Sequence, residues 1–177
     1  MNLLVMVLVG GIALYFLSKI FLAILRPFFL AKNIDEIDTF YNKIKKMFEK
    51  EYSEAIEFYK RWDSGDGASK KLHSEEEMKA HVDHAKVAMD HEQEVYYKFV
   101  RLKERFIQKP KELMDVIMIY KRYLKDKLAQ HTESQIYSTA LINGAMSLSE
   151  FEESAKEKRI ILEEIERKLD SFLNVNS

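Results

Sequence analysis

Apolar residues fill the start of the chain almost without a break and then thin into stripes. Leu3 to Leu25 is almost continuous hydrocarbon, with Lys19 its only charge. A membrane-spanning helix needs roughly 20 such residues. Beyond Asn33 apolar positions recur every three or four residues among charged ones, the period of an amphipathic helix.

Four stripes follow. The first is Ile34, Ile37, Tyr41, Ile44, Phe48, Ala55, Phe58 and Trp62, with Glu51 in one slot. It opens on Asn33-x-x-Glu36, a capping-box pattern, and ends at the polar loop signal Asp63-Ser64-Gly65-Asp66-Gly67-Ala68-Ser69. The second opens on Ser74-x-x-Glu77 and runs through Met78, Val82, Ala85, Met89, Tyr96, Phe99 and Phe106. Glu92 and Lys103 occupy its missing slots, and Ala88, Val95 and Leu102 widen one flank. It should stop near Gln108, because Lys109 precedes a proline. The third starts at Pro110, a favoured first-turn residue. It runs through Leu113, Val116, Ile117, Tyr120, Leu124 and Leu128, and less cleanly through Ile136 and Ala140 to Asn143-Gly144. Its stretch Gln130–Gln135 reads either as a bend or as a solvated face. The fourth follows Ser147-Leu148-Ser149, where either serine can cap, and carries Phe151, Ala155, Leu162, Ile165, Leu169 and Phe172, with Lys158 in one slot. The tail Asn174-Val175-Asn176-Ser177 should fray.

The pattern predicts helices over about 34–62, 75–108, 110–143 and 149–173. No Val- or Ile-rich segment alternates with polar residues, so the expected class is all-α. Alternating three-four spacing, matched lengths and short connections predict an antiparallel four-helix, coiled-coil-like bundle. Residues 1–32 are then a transmembrane anchor with an interfacial segment, and 33–177 a soluble bundle. An extended stalk is the other arrangement such stripes permit. The breakers at Gly65-Gly67, Pro110 and Gly144 argue against one rod.

A cleaved signal peptide fits the start poorly. Met1-Asn2 carries no basic residue, the apolar run is long, and no small-residue cleavage site precedes Arg26-Pro27. Arg26, Lys32, Lys43, Lys45 and Lys46 follow the span and none precedes it. The positive-inside rule then places the N-terminus outside and the C-terminal domain in the cytoplasm, or on a matrix side. Pro27 either starts a new helix or kinks a continuous one. Phe28, Phe29 and Leu30, bounded by Lys32, suit an interface. Gly11, Tyr15, Ser18, Lys19 and Arg26 share one side of the span, with Leu22 among them. Small and polar residues on one side allow a second helix to approach and hydrogen-bond. Lys19 snorkelling to the headgroups is the plainer reading.

Composition narrows the function. Lys and Arg number 28 against 29 Asp and Glu, a net charge of −1, so no whole-domain nucleic-acid footprint exists. With no cysteine, disulfides, thiolate metal sites and thiol catalysis are excluded. No phosphate loop, nucleophile elbow or calcium loop is present. Of five histidines, His81, His84 and His91 fall on the second helix. His84 and His91 are expected on its solvated face, with His81 flanking the core. Inward Glu-x-x-His pairs, the mark of di-metal bundles, do not occur, so no metal or cofactor is expected. The charges at seam slots, Glu51, Glu92, Lys103 and Lys158, are expected to reach the bundle edge along their stems. The tyrosines fall on or beside seams and are expected to pack the core. Arg101, Lys103, Arg105, Lys109 and Lys111 cluster at the second corner, to which an antiparallel helix two would return near the membrane. They are candidates for anionic lipid contact.

The expected function is that of a single-pass, membrane-anchored helical subunit, adaptor or scaffold of a membrane complex, without enzymatic activity. Membrane lipids and other membrane subunits, or self-association, are the expected partners. A membrane-anchored enzyme or metal-binding bundle, and an oligomerising lysis, toxin or pore-like protein, are the alternatives.

Overall fold

The computed structural model describes residues 3–65, 74–142, 144–145 and 147–174. Every element in them is a helix: α1 Leu3–Ser64, α2 Glu75–Arg105, α3 Pro110–Ile142 and α4 Leu148–Asn174. The predicted loop residues Asp66–Ser69, Asn143 and the tail from Val175 lie outside the described residues. The chain divides into two compact units, Met1–Glu36 and Ile37–Ser177.

The first unit holds the apolar stretch. It is long and apolar enough to cross a membrane, and none of the qualifying stretch is buried. Pro27 lies inside α1, and the helix neither starts nor stops there. Asn33 is a correction to the predicted capping box. It sits within α1, and its Nδ2 donates to the Phe29 carbonyl at 2.7 Å. An N-cap requires the chain to enter from non-helical backbone, and the helix already runs through this position.

In the second unit the predicted caps set the helix starts. Ser74 is the N-cap of α2, extended at φ −76° and ψ 160°. Its Oγ accepts from the Glu77 N–H at 3.2 Å, while its own N–H donates to Glu77 Oε2 at 2.7 Å. Ser147, rather than Ser149, does the same for α4. Its N–H donates to Glu150 Oε2 at 2.9 Å and its Oγ accepts from the Glu150 N–H at 3.3 Å. These bonds hold the Glu150 carboxyl below its ordinary range. At the end of α3, Gly144 takes φ +68° and the Ala145 N–H donates to the Ala140 carbonyl at 2.8 Å. That is the wrap-around bond of a glycine-terminated helix, in a conformation only glycine adopts cheaply.

Helix α2 ends at Arg105, three residues before the predicted stop. Phe106 leaves the helix at φ −95° and ψ 10°, and the Lys109 N–H returns to the Phe106 carbonyl at 2.8 Å. The restriction ahead of Pro110 thus tightens a whole turn. Residues 130–135 remain helical, so the polar stretch is a face and not a bend.

The core joins Ile37, Tyr41, Ile44, Ala55 and Trp62 of α1 to Met78, Val95, Phe99, Leu102 and Phe106. Leu113, Val116, Ile117, Tyr120, Tyr123 and Leu124 of α3 and Leu162, Ile165 and Leu169 of α4 complete it. On α2 the buried face is centred on Val95, Phe99 and Leu102, so Val95 and Leu102, read as a flank, join Phe99 of the stripe in the core. Tyr41 stacks on Tyr96 at 3.7 Å between ring centroids, and Phe99 on Tyr120 at 4.4 Å. Phe58 meets His81 edge-on at 6.4 Å.

Candidate functional site

One charged residue lies in the core among the described residues: Glu92, 4% exposed. It corrects the expectation that seam charges sit at the edge. Its place on α2 follows from spacing, since 92, 95, 99, 102 and 106 alternate three and four residues along the buried face. Across from it, α3 presents Tyr123 and Lys127, one helical turn apart. Lys127 Nζ lies 2.6 Å from Glu92 Oε1. The Tyr123 hydroxyl donates to Glu92 at 3.1 Å and 3.0 Å from its two oxygens. A buried carboxylate is tolerable when it is both paired and hydrogen-bonded, and Glu92 is both.

The network continues outward. Glu166 of α4, half-buried, pairs with His91 Nε2 at 3.2 Å, and Tyr123 also acts on its carboxyl. On the other side, the Lys127 ammonium sits 5.8 Å from the Phe48 ring centroid. Burial and the charge of Glu92 both push the Tyr123 hydroxyl far above its ordinary value, so it keeps its proton and donates. Tyr120, beside it, is likewise held protonated, first by burial and then by Glu92. Its hydroxyl is buried with no hydrogen-bond partner.

This contrast makes a prediction. Tyr120→Phe should leave stability unchanged or raise it slightly, because an unsatisfied buried hydroxyl is removed. Tyr123→Phe should cost about 1.5–3 kcal/mol, the range for a hydrogen bond to a charged group. Chemical denaturation of the two variants side by side would check it. Equal effects would mean that Tyr123 does not serve Glu92.

The remaining seam charges are half-buried. Glu51 pairs with His131 at 3.2 Å, and Lys158 pairs with Glu133. Both pairs line a cleft of about 280 Å³, together with Phe48, Lys127 and Phe151. Lys103 is also half-buried. His84 is exposed as expected, and His81 is exposed where the sequence placed it beside the core. His91 is also exposed, as expected, and it makes a tie to Glu166 that the sequence did not show. No three His, Asp or Glu side chains converge as metal ligands among the described residues.

At the α2–α3 corner, Arg101, Arg105, Lys109 and Lys111 are exposed. Arg105 also works inside the bundle. Its Nη1 donates to the Leu173 carbonyl at 3.0 Å and to the Phe172 carbonyl at 3.4 Å, capping α4. Arg105 and Lys109 flank the Phe106 ring at 5.5 Å and 5.7 Å, and Lys109 pairs with Glu112 at 3.6 Å. Ile107, at the same turn, is 64% exposed. In the first unit, Gly11, Tyr15, Ser18, Lys19 and Arg26 are all exposed. Ser18 Oγ donates to the Tyr15 carbonyl at 2.7 Å, and Lys19 Nζ lies 5.4 Å from the Tyr15 ring centroid. A methyl added at Gly11 would meet nothing within 4 Å.

Neither a protein-family model, a curated protein nor a solved structure matches the chain.

Proposed function

We propose that the chain is a single-pass, membrane-anchored helical subunit, adaptor or scaffold of a membrane protein complex, acting without catalysis. The apolar stretch of α1, whose qualifying part has no buried residue and which runs on into the same helix's bundle segment, carries this reading. The bundle is an antiparallel four-helix, coiled-coil-like one. Support comes from pairings that run in opposite senses: Phe99 with Tyr120 and Glu92 with Lys127 between α2 and α3, Tyr41 with Tyr96 and Phe58 with His81 between α1 and α2. Arg26, Lys32, Lys43, Lys45 and Lys46 after the span favour a cytoplasmic or matrix-side bundle.

Two surfaces serve partners in this reading. The stripe Gly11, Tyr15, Ser18, Lys19 and Arg26 receives a helix of another subunit or of a second copy. Ser18 and Lys19 are eased into lipid by their local ties to Tyr15, and open space over Gly11 admits a close neighbour. The corner of Arg101, Lys103, Arg105, Lys109 and Lys111 contacts anionic headgroups, each cation contributing about 1 kcal/mol near such a surface. Ile107 supplies an apolar tip among them.

Purification from membranes in mild detergent tests the reading. The intact chain should bring down a stoichiometric membrane protein or a second tagged copy, and Gly11→Leu with Lys19→Leu should lose it. A monomer that carries nothing, identical in both forms, would contradict a subunit role. Lipid contact is tested with Arg101, Lys109 and Lys111 changed to Glu, sparing Arg105 because it caps α4. Binding of residues 33–177 to anionic vesicles should vanish, as it should in high salt.

A further inference from the structure

Among the described residues, three polar ties fasten α4 to α2. They are His91–Glu166 at 3.2 Å, Lys98–Asp170 at 2.6 Å and Arg105 on the carbonyls of Phe172 and Leu173. Lysine and arginine side chains generally hold their charge through neutrality, whereas an imidazole does not. We propose that His91 is a proton-operated latch between α2 and α4, and that its release unbalances the buried cluster behind it.

The geometry supplies the mechanism. The charged groups that act on His91 are Glu166 from α4, Lys127 from α3 and Glu92 from α2 itself. With His91 protonated, two carboxylates, Glu92 and Glu166, stand against two cations, Lys127 and His91. Tyr123 has one proton to give, and it goes to Glu92. When His91 loses its proton, Lys127 alone must balance both, and the Tyr123 hydrogen is already committed to Glu92. Glu166, half-buried, is left without a cation of its own. The strain falls on the α2–α4 seam above Lys98–Asp170, while the Arg105 cap and the Phe106–Phe172 edge contact at 5.9 Å still hold the other end.

The direction of titration agrees. Donation of the His91 N–H to the Glu166 carboxylate raises the His91 pKa above its ordinary value, against burial and Lys127. Burial pushes Glu166 up, but His91 and Tyr123 outweigh it and hold the carboxyl below its ordinary range. A raised histidine stabilises fully below its unfolded pKa, about 6.5, and loses that stability as pH rises through the folded value. A lowered glutamate stabilises above about 4.5 and loses it as pH falls through its folded value. Between those limits the latch is closed.

The test uses the full chain in detergent micelles, unfolded by heat and followed by far-ultraviolet circular dichroism at about pH 5.5 and about pH 9. At the lower pH, His91→Gln should melt about 2–4 °C below the unmodified chain. At the higher pH the two should coincide. Lys98→Met, which breaks the neighbouring tie, should lose as much at both pH values. Glu166→Gln should abolish the same pH dependence, so a poorly folding His91 variant does not leave the question open. An imidazole carbon resonance assigned by its loss in His91→Gln should titrate above about 6.5. A gap that is equal at both pH values, or an imidazole midpoint at or below the ordinary one, would overturn the latch.

Discussion

Phe99→Asp should unfold the bundle. Phe99 is fully buried and stacked on Tyr120, so the substitution removes a large packed ring and leaves a carboxylate with no cation placed for it. Loss of the ring alone costs about 3–5 kcal/mol, and the stranded charge adds to it. Total stability is on the order of 5–15 kcal/mol, so most of it goes. Leu162→Asp, at 4% exposure on α4, should behave alike. His84→Ala, on an exposed face, should stay within about 0.5 kcal/mol. Denaturant midpoints by circular dichroism check all three. If His84→Ala unfolded the chain and Phe99→Asp did not, the helix registers would be wrong.

Lys127→Met should cost about 3–5 kcal/mol, far more than a surface lysine, because it leaves the buried Glu92 carboxylate without its cation. Changing both partners, Glu92→Met with Lys127→Met, should return most of that loss. An apolar pair of similar volume often replaces a buried ion pair at no cost. Measured as a double-mutant cycle, the coupling should be large and favourable. Additive single effects would mean that the pair carries no interaction of consequence, and that burial of Glu92 has another cause.

The helices were legible because their signals are local. Ser74-x-x-Glu77 and Gly144 act within one turn, so their chemistry is visible in a few consecutive letters. Asn33-x-x-Glu36 shows the limit of such signals: the same letters serve inside a helix when nothing upstream interrupts it. The stop at Arg105 falls earlier than the letters imply because Pro110 restricts its predecessor, while the backbone tightens several residues before that.

The polar network was less legible, since it depends on which turns of different helices meet. Glu92 reads as a seam slot from α2 alone. Its partner emerges only once Phe99 is set opposite Tyr120. Seven residues back along α2 is then Glu92, and seven forward along α3 is Lys127. His91 lies on the outward side of α2, and only the register of α4 brings Glu166 to it. Arg105 reads as one more surface cation, although the last carbonyls of α4 claim it. The lipid and partner surfaces are patterns of exposed side chains, whose occupants come from outside the chain.

Alkaline carbonate washing of membranes bearing the chain tests the anchor directly. The full chain should remain with the membrane pellet, while a chain beginning at Asn33 should be released and show a predominantly helical spectrum. Release of the full chain by carbonate, or a largely disordered spectrum for the shortened one, would contradict a membrane-anchored helical bundle.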